Sequence, residues 1–112
     1  GTAYLLCPES RINALHRAAL KSTRARHTAL TTVFSGRPAR GILTRLMREL
    51  GPLPDGVPEF PLAGNAIAAL RAKTERLELD HCTPLWAGQN ASGCREVPAA
   101  ELTRELAAGW RS

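Results

Sequence analysis

Hydrophobic residues recur at helical spacing along four stretches of the chain. Residues three or four positions apart share one face of an α-helix, so this recurrence predicts amphipathic helices. The predicted helices cover residues 10–23, 40–50, 64–79 and 98–110. Ser10 is the expected N-cap of the first, Gly51 and Pro52 end the second, and Pro98 suits the first turn of the last. Residues 51–63 hold four prolines and two glycines, which predicts an irregular connector.

The third and fourth predicted helices carry apolar stripes that need a partner surface. An apolar stripe on one side of a helix normally packs against the core. The positions expected to face inward are Ile67, Leu70, Leu77, Leu102, Leu106 and Trp110.

The first seven residues are almost wholly apolar and have the pattern of a buried β-strand that stops at Pro8. Residues 31–34 are β-branched and extended in character, but no second good strand pattern follows. A strand needs a partner for its backbone N–H and C=O groups. We therefore expect either the C-terminal part of a larger α/β enzyme or a chain that completes its sheet by self-association through residues 1–7.

Composition and charge fit a folded domain with a basic first half. The 112 residues are 44% hydrophobic and 22% charged, with a net charge of +5. Residues 1–50 contain nine Lys or Arg and two acids, whereas residues 51–112 contain six and eight. This asymmetry allows an alternative, a small basic helical module that binds nucleic acid or an acidic partner. No transmembrane run or signal peptide is visible, so we expect no membrane partner and a cytoplasmic location by default.

The cysteines and histidines show no metal-ligand spacing, so no metal site is predicted. Three cysteines without a C-x-x-C pair are expected to be buried or free thiols; they are Cys7, Cys82 and Cys94. The histidines are scattered and are expected to be at the surface or hydrogen-bonded, without a catalytic role; they are His16, His27 and His81.

Two segments combine glycine with residues that bind anions. Gly1 lets a backbone N–H approach a phosphate closely and Thr2 adds a hydroxyl donor, although a turn-forming glycine is the simpler interpretation. Arg37 and Arg40 lie in a Gly- and Pro-rich stretch, where they could bind an anion or hold neighbouring loops. In the structural interpretation at least one of these arginines is buried against backbone carbonyls or a carboxylate.

A third segment mixes small residues with amides. Gly88 permits close approach to a flat ligand, Trp86 offers an apolar wall, and Gln89 can donate or accept a hydrogen bond. The alternative interpretation is a tight loop capped by its own amides.

Taken together, these segments resemble the nitronate monooxygenases, FMN-dependent enzymes also called 2-nitropropane dioxygenases. The resemblance is carried by GTAYLLCPES, HRAALKS, TTVFSGRPARGILTRLMRELGP, FPLAGNAIAALRA and PLWAGQNASGCREVPAAELTREL. It implies a C-terminal piece of a (β/α)8 TIM barrel, mainly α within this chain. Residues 1–25 would be the last barrel strand and its helix, residues 26–85 a segment of the lid domain, and residues 86–112 a loop at the active-site mouth with the closing helix.

The resemblance also implies roles for individual residues in an enzyme that oxidises alkyl nitronates with O2. Gly1 and Thr2 match positions that contact the FMN phosphate, and Trp86 to Gln89 match a loop near the flavin or substrate. The catalytic histidine of the family lies upstream of Gly1, so no residue of this chain is assigned as catalytic. The chain alone is therefore expected to be inactive, with the N-terminal part of the barrel as its missing partner.

Overall fold

The computed structural model describes residues 1–110. Helices account for most of the regular structure, as the sequence predicted. Four α-helices and one pair of strands follow one another in the order α1 (Ala14–Leu20), β1 (Thr28–Thr31), β2 (Ala39–Ile42), α2 (Arg45–Leu50), α3 (Ala63–Arg76) and α4 (Ala99–Trp110). Two short 3₁₀ helices flank α1, at Thr2–Leu6 and Thr23–Arg26. No helix within residues 1–110 is both long and apolar enough to cross a membrane.

Within residues 1–7, Thr2–Leu6 form a 3₁₀ helix, so the predicted strand is wrong. The amide of Tyr4 donates to the Gly1 carbonyl at 3.0 Å, and the amide of Cys7 donates to the Tyr4 carbonyl at 3.1 Å. These local bonds satisfy the backbone without a strand partner. Burial explains the apolar sequence, since Leu6 and Cys7 are both in the interior. The reason for expecting self-association through this segment therefore no longer holds.

The strands β1 and β2 form an antiparallel pair in which Thr28 faces Ile42 and Thr31 faces Ala39. The second helix accordingly begins at Arg45 and not near residue 40 as predicted. Thr44 caps it by accepting a hydrogen bond from the amide of Met47 at 3.4 Å. Of the stretch 31–34 predicted to be extended, only Thr31 belongs to a strand, because the chain turns directly afterwards towards β2.

The other predicted boundaries are closer to the structure. Helix α1 is shorter than predicted and is capped by Asn13 instead of Ser10, with the Asn13 side-chain oxygen accepting from the amide of His16 at 2.8 Å. The connector at residues 51–63 contains no strand and no helix before Ala63, as expected. Helices α3 and α4 lie within a few residues of their predicted limits.

Two apolar clusters form the interior of the part of the chain that the structure describes. The first joins the 3₁₀ helix and α1 to β2 and the loop after α3; it contains Leu6, Ala19, Leu20, Ala25, Ile42, Leu85 and Ala87. The second lies between the β1–β2 turn and α2; it contains Val33, Phe34, Leu46, Met47 and Cys82.

The long helices contribute less to these clusters than their apolar stripes predicted. Leu102 is buried, and Ile67 packs against the second cluster. The remaining positions expected to face inward are exposed in this chain; they are Leu70, Leu77, Leu106 and Trp110. Helix α3 is buried at Ala63, in its first turn, so most of its apolar stripe has no partner surface among the described residues.

Candidate functional site

The segment Leu85–Gly88 runs alongside β2 and is held to it by backbone hydrogen bonds. The amide of Ile42 donates to the Leu85 carbonyl at 2.8 Å, and the amide of Ala87 donates to the Arg40 carbonyl at 3.2 Å. Gly41 and Trp86 form an isolated antiparallel bridge between these bonds. A side chain on Gly41 would lie 3.1 Å from the Leu85 carbonyl oxygen, so glycine permits this close approach.

Side chains occupy the opposite edge of the same segment. A ring nitrogen of His16, Nε2, lies 2.9 Å from the Trp86 carbonyl oxygen, and the Gly88 amide donates to the Thr2 hydroxyl oxygen at 2.8 Å. Alternate backbone groups of an extended segment point to opposite edges. His16 and Thr2 therefore satisfy two backbone groups that a neighbouring strand would otherwise bond.

The structure thus brings together Thr2 and Gly88, two predicted site residues that are 86 positions apart. A hydroxyl offers one donor and two acceptor positions. Because Thr2 accepts from Gly88, its own proton remains available for an anionic acceptor. Gly1 precedes Thr2 and has no side chain, so the backbone beside this hydroxyl carries no Cβ that would keep an anion away.

Gln89 follows this contact and lines an open cleft of about 660 Å³. Leu6 and Leu20 line the cleft beside basic side chains, among them Lys21, which forms an ion pair with Glu96 at 2.5 Å. Beyond Gln89 the loop is closed by its own amide side chain, as one of the two interpretations expected. The side-chain oxygen of Asn90 accepts from the amide and the hydroxyl of Ser92 at 2.9 and 2.6 Å.

Trp86 is half-buried and its ring meets Phe34 edge to face, with the ring centroids 5.6 Å apart. Phe34 belongs to the second cluster, so the indole stabilises the interior. The backbone carbonyl of Trp86, and not its ring, is the part fixed at the edge shared with Thr2.

The predicted burial of Arg37 or Arg40 against a carbonyl or carboxylate is wrong for the described residues. Arg37 is exposed, and its guanidinium lies over the Phe60 ring at 4.2 Å from the centroid. Arg40 is half-buried and donates to the Thr28 hydroxyl at 3.1 Å across the strand pair. The glycine in the sequence around these arginines is explained instead by a close contact of Gly36 with the backbone of Pro58 and Phe60.

A sequence model described as nitronate monooxygenase matches residues 1–109 of the chain. The chain belongs to the nitronate monooxygenase family. This family membership gives no support to the alternative of a small basic binding module.

Individual relatives of the nitronate monooxygenase family agree with this assignment. A nitronate monooxygenase of Pseudomonas aeruginosa is 44% identical over 107 residues, and a probable nitronate monooxygenase of Bacillus subtilis is 31% identical over 107 residues. Each match covers 95% of this chain, and 30% and 31% of the respective relative. A solved structure of a nitroalkane oxidase from Streptomyces ansochromogenes matches with a TM-score of 0.82 and 37% identity over 96% of this chain and 30% of that one. The chain therefore spans about 30% of the length of these relatives.

Two neighbouring residues of α1 contact the backbone of the two segments that form the candidate site, and the sequence predicted no role for either. His16 was expected to be at the surface or hydrogen-bonded; it is buried and bonded to Trp86. The Arg17 guanidinium donates to the Leu6 and Cys7 carbonyls at 3.0 and 3.4 Å, which fixes the end of the first 3₁₀ helix. The available signal was the position of His16 three residues before the buried Ala19, on the inward face of α1.

The three cysteines are free thiols, as predicted. Cys7 and Cys82 are buried. Cys94 is half-buried, and its thiol donates to the Thr2 carbonyl at 3.3 Å. Burial raises the pKa of the Cys94 thiol, so at neutral pH this side chain acts as a weak neutral donor next to Thr2.

Burial lowers the pKa of His16 from its ordinary value of 6.5, against a smaller opposing effect of the Trp86 carbonyl. Below pH 6.5 the unfolded chain takes up a proton that the folded chain still excludes. We expect the free energy of unfolding to fall as the pH drops through this range and to level off below the folded-state pKa. Urea midpoints between about pH 7.5 and 5 test this expectation.

The matched control for this pH dependence is a second histidine. The variant His16→Gln removes the titrating group and is expected to flatten the pH dependence between those limits. The variant His27→Gln, at an exposed position, should leave it unchanged. Equal slopes for the wild type and His16→Gln would contradict the assignment to His16.

Proposed function

We propose that this chain is the C-terminal portion of an FMN-dependent nitronate monooxygenase that oxidises alkyl nitronates with O2. The observation that carries the proposal is the hydrogen bond between Thr2 and Gly88. It joins two segments for which the family resemblance implies a place at the flavin phosphate and near the flavin or substrate, within a chain that matches the family over residues 1–109. Because the chain spans about 30% of its relatives, the activity is proposed for the whole protein.

The residues present fit the phosphate of FMN as a partial site. Gly1 has no side chain beside its backbone, and Thr2 has a hydroxyl proton that the Gly88 contact does not use, both of which suit a phosphate oxygen. Gln89 lines the neighbouring cleft and is proposed as a flavin or substrate neighbour, with Trp86 and Gly88 holding the loop that carries it. The redox chemistry with the nitronate and oxygen is that of the bound flavin.

Within this proposal the chain binds and orients, and the proton transfer from the nitronate carbon belongs to a residue outside it. His16 is unsuited to that task because its Nε2 is already bonded to the Trp86 carbonyl in the interior. We also infer that residues 26–85 belong to a lid, and that residues 86–110 form the loop at the active-site mouth with the closing helix of a (β/α)8 barrel. The predicted closing segment extends to residue 112, and its last two residues lie outside the described part of the chain.

A chimaera tests the proposed activity directly. In this protein the chain replaces the matching segment of the Pseudomonas aeruginosa relative, with which it shares 44% identity. We expect the purified chimaera to bind FMN and to consume oxygen with propyl-2-nitronate. The 112-residue chain alone, with added FMN, should consume none above the background of free FMN, because the proposal places the proton-abstracting residue outside it.

Two outcomes would overturn the proposal. A chimaera that folds and binds FMN but leaves the nitronate unchanged would refute the reaction. Steady turnover by the isolated chain would show that the chemistry resides within these residues. Circular dichroism of the chimaera and of the unaltered relative controls for folding.

A further inference from the structure

Neighbouring residues of α1 hold both segments that meet at the Thr2–Gly88 contact. Arg17 donates to the Leu6 and Cys7 carbonyls at the end of the first 3₁₀ helix, and His16 bonds the Trp86 carbonyl two residues before Gly88. Helix α1 is itself fixed at its start by the Asn13 cap. One turn of helix therefore sets the distance between the segment that carries Thr2 and the segment that carries Gly88.

The hydrogen bond of His16 has a defined direction. A backbone carbonyl can only accept, so Nε2 of His16 carries the proton in this contact. The ring is 6% exposed, which leaves it little freedom to move. Together with the Gly41–Trp86 bridge on the opposite edge, this bond fixes Trp86 from two sides.

The Gly88 amide lies at the end of this fixed segment. It donates to the Thr2 hydroxyl at 2.8 Å and so directs the hydroxyl proton away from the loop. The space is tight, because a Cβ on Gly88 would lie 3.2 Å from the Thr2 hydroxyl oxygen. A small shift of the loop would therefore change the direction in which Thr2 donates.

We propose that His16 is a positioning residue for the phosphate-binding hydroxyl of Thr2. It acts through the Trp86 carbonyl and the Gly88 amide and does not itself touch the ligand. The identity of that ligand as the FMN phosphate rests on the proposed function above, whereas the effect of His16 on the Gly88 amide does not.

The first arm of the test uses the 112-residue chain without any ligand. Amide hydrogen exchange is measured by NMR for the wild type, His16→Leu and His16→Gln. Because losing one hydrogen bond costs about 1 kcal/mol, His16→Leu is expected to speed exchange of the Gly88 amide by roughly 5- to 10-fold. A glutamine amide can donate to the Trp86 carbonyl in place of Nε2, so His16→Gln should stay within about 3-fold of the wild type.

The amide of Ile42 provides the internal control. It bonds the Leu85 carbonyl on the other edge of the same segment, at 2.8 Å. We expect His16→Leu to change its exchange much less than that of Gly88. Equal acceleration at both amides would show general loosening and would overturn the positioning role.

The second arm measures FMN binding by the chimaera through flavin fluorescence. The same variants are compared, and His16→Leu is expected to weaken FMN binding by about 10-fold, with His16→Gln close to the wild type. If the chimaera with the unaltered chain binds no FMN, the proposed function fails and the exchange arm alone decides the role of His16. If His16→Leu speeds exchange of the Gly88 amide but leaves the affinity for FMN unchanged, the proposed effect of the loop on ligand binding is wrong.

Discussion

Replacing Gly36 by alanine is expected to lower the free energy of unfolding by roughly 2–4 kcal/mol. Gly36 has a φ of +91°, and an added Cβ would lie 2.6 Å from both the Phe60 amide nitrogen and the Pro58 carbonyl oxygen. These are backbone atoms of the connector and cannot move aside as a flexible side chain would. Alanine therefore combines an unfavourable backbone conformation with a displaced connector.

A second glycine separates these two effects. Gly56 has a φ of +78° but no heavy atom within 4 Å of its Cβ position. We expect Gly56→Ala to show only the conformational penalty, about 1 kcal/mol. Urea unfolding of both variants at neutral pH gives the comparison. Equal losses at Gly36 and Gly56 would show that the contact with the connector contributes nothing.

The backbone contact of Gly36 with residues 58–60 also explains the Gly- and Pro-rich sequence SGRP at residues 35–38. Its Gly and Pro predict a rigid segment in which Arg37 and Arg40 bind an anion or hold neighbouring loops. The structure shows instead that the turn fits against residues 58–60, which the sequence places more than twenty positions away. Local sequence indicates a stiff turn but does not indicate the surface against which the turn packs.

Periodicity predicted the long elements because it depends on neighbouring residues only. Helices α3 and α4 and the connector before α3 were found within a few residues of their expected positions. Residues 1–7 were misassigned because a short apolar run fits a buried strand and a buried helical turn equally well. The strand β2 was missed since Arg40-Gly41-Ile42 shows no alternation, and its pairing is with a segment near residue 30.

The sequence predicted some residues of the candidate site but not the contacts between them. Thr2, Gly88 and Gln89 were singled out by residue type, and the structure joins the first two by a hydrogen bond. Neither pattern nor composition could show which segment Thr2 meets. The inward face of α1 indicates that His16 is buried, but it does not indicate that His16 bonds a carbonyl 70 residues away. Contacts between distant segments depend on how the chain folds, and a single sequence does not indicate which segments meet.

Changing Thr2 to valine is expected to weaken FMN binding by the chimaera about 10- to 100-fold, the range for a hydrogen bond to a charged group. Valine has a similar shape but removes the proposed donor to the phosphate and the acceptor of the Gly88 amide. The measurement is a fluorescence titration with FMN. Thr2→Ser retains the hydroxyl and should bind within a few-fold of the wild type.

Riboflavin lacks the phosphate of FMN, so its binding tests whether Thr2 contacts that group. If Thr2 binds the phosphate, Thr2→Val should weaken FMN binding far more than riboflavin binding. The variant Thr103→Val in α4 provides a control, since it removes the hydroxyl that bonds Tyr4 of the first 3₁₀ helix at 2.8 Å and leaves Thr2 intact. Equal losses for FMN and riboflavin in Thr2→Val would assign Thr2 to holding the loop and not to the phosphate. A larger loss of FMN binding in Thr103→Val than in Thr2→Val would contradict the assignment of the phosphate contact to Thr2, whose hydroxyl accepts from the Gly88 amide.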